Sequence, residues 1–142
     1  MFNPKYEDRL LSWSCLRRDL ETSLDPFQHI INTYTDAPWV HIHADPWDET
    51  TWPDPWEMIY ENQYDDFCTV LGMCYSLQLT DRFSGSEFEI HIGIDNESSR
   101  TCYLLIINKK VVIGWDNVSY VDINDLPSSY NSQKIYVMPP LQ

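Results

Sequence analysis

Trp52-Pro53-Asp54-Pro55-Trp56-Glu57-Met58-Ile59, followed closely by Tyr64-Asp65-Asp66-Phe67, places two helix starts almost back to back. Asp54 precedes a proline and stands three residues before Glu57. That is the capping-box pattern, in which the two side chains satisfy each other's backbone N–H groups at a helix entrance. It predicts a short helix ending near Glu61. From about Tyr64 to Leu79, Phe67, Val70, Leu71, Cys74 and Leu77 recur at i, i+3, i+4, i+7 and i+10. This spacing is a helical period and predicts a second, longer helix with a buried stripe. Asp65 and Asp66 are adjacent, so they do not face each other as a paired acid site. Asp65 is read instead as capping or charging the helix start.

Upstream, Asn3-Pro4 reads as an N-cap and first helical residue. Tyr6, Leu10, Leu11, Cys15 or Trp13, Leu16 and Leu20 then carry a helix over about 4–22. Asp25-Pro26-Phe27-Gln28 repeats the capping signal, and Phe27, Ile30, Ile31 and Tyr34 predict a helix over about 26–35 that stops before Pro38. Residues 37–53 hold Pro38, Trp39, Pro46, Trp47, Trp52 and Pro53 without a period, and read as an extended aromatic loop.

Downstream the period changes to two. Phe88, Ile90, Ile92 and Ile94 alternate with Glu89, His91 and Gly93, which predicts a strand over 87–95. Cys102–Ile107 is an almost continuous apolar strand. Val111–Trp115 is the next, Val118–Ile123 a further one, and Ile135–Met138 a short last one. The fold class expected is α+β: N-terminal helices (1–36), the aromatic loop (37–56), helices (54–79), then an antiparallel β-meander (87–138), all in one domain over 1–142.

Composition narrows the function classes. The chain has 142 residues, 43% of them hydrophobic and 14% aromatic, enough for one core. A net charge of -13, with only nine Lys and Arg, argues against a phosphate-backbone ligand. Arg17-Arg18 and Lys109-Lys110 read as solvated pairs. Cys68 and Cys74 sit in apolar sequence and read as core residues. No signal-like segment and no apolar run of about 18 residues is seen, so the expectation is a protein free of membrane and made in a reducing cytoplasm.

The Trp/Pro turn and Asp65-Asp66-Phe67 resemble the entrance of the catalytic helix in transglutaminase-like, papain-related domains. There a Gly-Asp-Cys-Asp/Glu-Asp-Phe motif carries the nucleophilic Cys, and strands downstream supply His and Asp. Cys102-Tyr103-Leu104-Leu105-Ile106-Ile107-Asn108-Lys109-Lys110-Val111-Val112-Ile113-Gly114-Trp115-Asp116-Asn117 is similar to the strand–turn–strand unit that begins with the His and ends in Asp-Asn. The resemblance covers roughly residues 50–125. It puts Tyr64 at the nucleophile, Cys102 at the His, and Asp116 at the Asp. A phenol with a pKa near 10 stays neutral at pH 7 and cannot replace a thiolate. The resemblance therefore implies a transglutaminase-like frame without catalysis. A relocated Cys68, His91 and Asp116 triad is the fallback, giving a cysteine peptidase or amidase.

A second resemblance spans most of residues 25–117. Asp25-Pro26-Phe27, Ala37-Pro38, Trp52-Pro53-Asp54-Pro55-Trp56, Tyr64-Asp65-Asp66, Leu71-Gly72-Met73, Tyr75-Ser76-Leu77-Gln78-Leu79-Thr80 and Phe88-Glu89-Ile90-His91 resemble small proteins of large contractile-tailed bacteriophages. It implies a virion component made in the host cytoplasm, in contact with other phage structural proteins and present in one or several copies. A host-directed inhibitor, with acidic surface against a basic host site, is another reading. No cofactor is expected. His41, His43 and Asp45 form His-x-His-x-Asp on one face of an extended segment. They lack a second ligand cluster and read as solvated loop rather than a metal site. In the loop, Trp39 and Trp47, flanking His41 and His43, are the expected binding anchors. Trp52 and Trp56 are expected to pack inward.

Overall fold

The computed structural model describes residues 1–141. Four helices, α1 (Tyr6–Thr22), α2 (Pro26–Tyr34), α3 (Pro55–Glu61) and α4 (Asp66–Gln78), cover one face of an antiparallel sheet. The strands are β1 (Phe88–Asp95), β2 (Arg100–Ile107), β3 (Val111–Ile113), β4 (Val121–Asp122) and β5 (Tyr130–Met138), in the order β4-β3-β2-β1-β5. The α+β class follows, as the change of period from 3.6 to two requires.

α4 is the centre of the molecule, touching α1, α2, α3, β1 and β2. Its buried residues run from Phe67 to Gln78 with only Thr69 partly exposed, so the apolar stripe widens to the whole circumference. One polar group within it is fully used. The Ser76 hydroxyl donates to Gly72 O (2.8 Å), accepts from Trp13 Nε1 (3.0 Å) and pairs with the Tyr34 hydroxyl (3.1 Å). A buried hydroxyl with three partners costs little and ties α1, α2 and α4 together.

Asp65 caps α4 with Oδ1 accepting from Cys68 N (2.6 Å), while Oδ2 accepts from His43 N (2.7 Å) and Ala44 N (3.0 Å). The same carboxylate thus closes a helix end and pins the aromatic loop. Tyr64 extends the tie: its N–H donates to Pro38 O (3.1 Å) and its carbonyl accepts from Val40 N (3.0 Å). The Asp54–Glu57 capping box forms with both bonds, at 2.8 and 3.2 Å.

β2 is buried on both faces, which explains its unbroken apolar run. Leu105 and Ile107 join Phe88, Ile90 and Ile113 beneath the helices. Cys102, Leu104 and Ile106 face the other way with Val112, under Trp115, Val121, Ile123, Leu126 and Tyr130.

Three expectations about elements need correction. α1 begins at Tyr6, and Asn3 is no cap: its side chain reaches Ser12 Oγ (3.0 Å) instead. The Asn3 and Pro4 carbonyls are taken by buried Arg9, whose guanidinium also donates to Ile59 O and Tyr60 O at the end of α3, each bond 2.9 Å. The strand predicted over 118–123 shrinks to two residues, because Asp116 Oδ1 accepts from both Val118 N and Ser119 N (2.8 Å each) and bends the chain. Finally, the sheet is not a simple meander. After β4 the chain passes beside the outer sheet face through a 3₁₀ turn (Ile123–Asp125), and β5 returns as a nine-residue strand against β1.

Candidate functional cleft

A cleft of about 480 Å³ opens between α2, the first turns of α4, the start of β2 and the end of β3. Ile31, Val70, Met73 and Ile113 contribute apolar lining, while Asp66, Thr69, Asp116 and Arg100 bring polar groups. Each is placed by local structure. Asp66 is in the first turn of α4, where the helix dipole favours a carboxylate. Asp116 is fixed by its two backbone donors, which hold its carboxyl below the usual range. Arg100 opens β2, donates to Trp115 O (3.0 Å), and lies 5.0 Å from the Trp115 ring centroid. Gly114, at the end of β3, has φ +109°, and a Cβ there would collide with Tyr103 O.

Among the lining residues the carboxylates of Asp66 and Asp116 face one cation, Arg100. Burial raises the Tyr103 phenol above its ordinary value, and the nearby carboxylates Asp65, Asp66 and Asp45 raise it further. Trp39 bridges this cleft to the loop, its indole N–H donating to Asp66 Oδ1 (3.2 Å). The indole is 62% exposed, and Trp47 is 57% exposed. Ile42 between them also faces solvent. The expected loop anchors Trp39 and Trp47 are therefore exposed. Trp52 packs inward on Phe67 and Tyr136, at 4.9 and 4.8 Å between centroids. Trp56 corrects the expectation for its position. It meets Trp13 edge-on at 5.1 Å yet stays half-exposed, because α3 is short and lies at the surface.

Of the three positions that the transglutaminase resemblance singles out, Cys102 and Asp116 border the cleft and Tyr64 does not. Tyr64 is 1% exposed, held edge-on by Phe2 (5.4 Å) and Tyr34 (5.8 Å). Its hydroxyl has no hydrogen-bond partner, and burial drives its pKa far up. Cys102 borders the cleft by backbone, but its side chain belongs to the outer face with Leu104 and Ile106. Tyr103 is the helix-facing residue there, since successive strand residues point to opposite faces. Sequence reasoning missed Tyr103 because a strand buried on both faces has no alternation to read.

The fallback triad does not assemble. Cys68 is fully buried in the core between helices and sheet. His91 alternates with Ile90 and so faces away from α4, bonded through Nε2 to Glu89 Oε1 (3.3 Å). The sheet separates thiol from imidazole. Burial, then the Asp65 carboxylate, push the Cys68 thiol far above its ordinary value; burial does the same to Cys74. Cys102 is also raised by burial. In the loop, His43 pairs with Glu61 (Nε2–Oε1 3.3 Å), while the His41 ring lies 6.1 Å from that of Trp39. Among the described residues, no group of three or more His, Cys, Asp or Glu is arranged to hold a metal ion. No described helix is long and apolar enough to cross a membrane. No protein-family model, curated protein or solved structure matches this chain.

Proposed function

We propose that this chain is a non-catalytic protein-contact domain on a transglutaminase-like frame, serving as a structural or assembly component of a tailed-phage particle. The single observation that carries the non-catalytic reading is the separation of Cys68 from His91 by the sheet. A thiol in that position has no imidazole to take its proton, and burial beside the Asp65 carboxylate keeps it protonated at pH 7. The frame is supported by the order of elements around the cleft: a capped helix start, then two antiparallel strands ending at Asp116. The virion setting rests on the resemblance of residues 25–117 to phage proteins.

Contact chemistry is supported by the loop. Trp39, Ile42 and Trp47 are large, exposed and set on backbone that Asp65 anchors. Rigid aromatic anchors of this kind dominate interface energies. The high net charge keeps such a surface soluble until its partner arrives.

The test is incorporation. Mass spectrometry of purified particles should find the chain at stoichiometric copy number. Trp39→Ala and Trp47→Ala should each weaken incorporation, by about 2 kcal/mol of binding or more, while leaving the melting temperature nearly unchanged. Absence of the chain from particles would remove the virion role. Rapid thiol-probe labelling of Cys68 at pH 7, abolished by His91→Ala, would remove the non-catalytic reading.

A further inference from the structure

The two edges of the sheet differ. β4 presents two residues and runs straight into a 3₁₀ turn, too short to receive another strand. β5 presents nine. One side of β5 pairs with β1 from Tyr130 to Met138, with a bulge that skips Gln133. No backbone or side-chain group among the described residues pairs with the other side between Asn131 and Met138. Ile135 is 49% exposed and Val137 75% exposed, both on the sheet face away from the helices. A long edge with exposed apolar residues is a template for another strand.

Charge selects the occupant. β5 contains no acid in a chain of net charge -13, and its only cation is Lys134. Lys134 and Tyr136 share the helix-side face of the strand, with Nζ 5.3 Å from the Tyr136 ring centroid. Trp52, set edge-on against Tyr136, donates its indole N–H to Asp45 O (2.9 Å) and so holds the loop of Asp45, Asp48 and Glu49 beside this edge. Those three carboxylates add to burial in raising the Tyr136 phenol. The edge therefore carries a cation and an acidic cluster two residues apart. An antiparallel copy centred on Lys134 would oppose lysine to lysine. One centred on Ile135 places each Lys134 across from Tyr136 of the other copy, beside that copy's acids. It also sets Ile135 against Ile135. Opposite-charge and apolar cross-strand pairs both stabilise such a ladder.

We propose that β5 is a self-association edge: two copies of this chain pair their β5 strands antiparallel about a two-fold axis at Ile135, merging their sheets into one. Pro139 and Pro140, lacking N–H donors, end the ladder. The contact is isologous, which closes the assembly at two copies through this surface. The ladder is made by the β5 backbone and by Lys134, Ile135 and Tyr136, not by Trp39 or Trp47, so the inference does not depend on the contact role proposed above.

Sedimentation of the full chain up to about 100 μM should give a mass that rises with concentration toward twice the 16.8 kDa chain mass, at least half of the chains being dimeric at the top concentration for any Kd of that size or tighter. Ile135→Lys opposes two cations at the axis and should weaken the dimer by at least about a hundredfold, with the melting temperature retained. Ile135→Cys should form a covalent dimer under mild oxidation, whereas exposed Val118→Cys should not. Lys134→Glu should weaken association, and Glu49→Lys in the same chain should restore it. A monomer at this concentration overturns the proposal. So does a dimer that survives Ile135→Lys, or equal cross-linking at position 118. If Ile135→Lys unfolds, the two cysteine variants decide alone.

Discussion

Raising the pH from 8 to 10 tests the placement of the thiols. Cys68 and Cys74 are both fully buried in the helix-side core. Burial disfavours each thiolate, and for Cys68 the Asp65 carboxylate adds repulsion. Both therefore keep their protons in the folded chain well above the ordinary thiol value of 9.0. The unfolded chain releases them near that value. Above pH 9 the native state binds more protons than the unfolded state, so stability falls as pH rises; below it, both states are protonated and the contribution is flat. Each thiol's cost steepens through that window toward about 1.4 kcal/mol per pH unit and sums to about 1.4 kcal/mol by pH 10. At pH 10 the pair together costs about 3 kcal/mol, a large share of a typical 5–15 kcal/mol. Urea unfolding in reducing buffer, followed by tryptophan fluorescence at pH 7, 8, 9 and 10, reads this directly. Cys74→Ala lowers stability at every pH through its cavity, yet it should reduce the loss between pH 9 and 10 by about 1 kcal/mol. Equal slopes for wild type and variant refute the reasoning, as does alkylation of Cys68 at pH 7 faster than a free thiol.

Tyr64→Phe removes a buried hydroxyl that has no partner, and should raise stability by about 1 kcal/mol, seen as a higher melting temperature. A loss of that size would mean the hydroxyl is bonded. Tyr64→Cys, by contrast, empties the space between Phe2 and Tyr34 and should cost about 3 kcal/mol without creating amidase activity. Arg9→Met strands the carbonyls of Asn3, Pro4, Ile59 and Tyr60, and should cost about 2–4 kcal/mol in chemical denaturation. Arg9→Lys should recover little, because an ammonium cannot span the same fork. Gly114→Ala must accommodate φ +109° and a Cβ against Tyr103 O, and should cost about 2 kcal/mol or more while reshaping the cleft at β3. A neutral result would show that this turn relaxes freely.

Local features were legible in the sequence because their causes are local. The Asp54–Glu57 box, the Asp25 and Asp65 caps, the helical period of α4 and the alternation of β1 each involve residues a few positions apart. From them come the α+β class and the starts of α2, α3 and α4. The tertiary structure alone decided the rest. β5 pairs with β1 rather than with its sequence neighbour β4, a choice made by long-range packing that no short window contains. Tyr103 faces the helices and Cys102 faces away, but a strand buried on both sides conceals its own parity. Trp56 stays half-exposed and Trp52 does not, although both flank one capping box. Exposure depends on what Trp13, Phe67 and Tyr136 bring from elsewhere in the chain. Cys68 and His91 are close in sequence pattern and separated by a sheet in space, because side-chain direction is set by the face of the element that carries it.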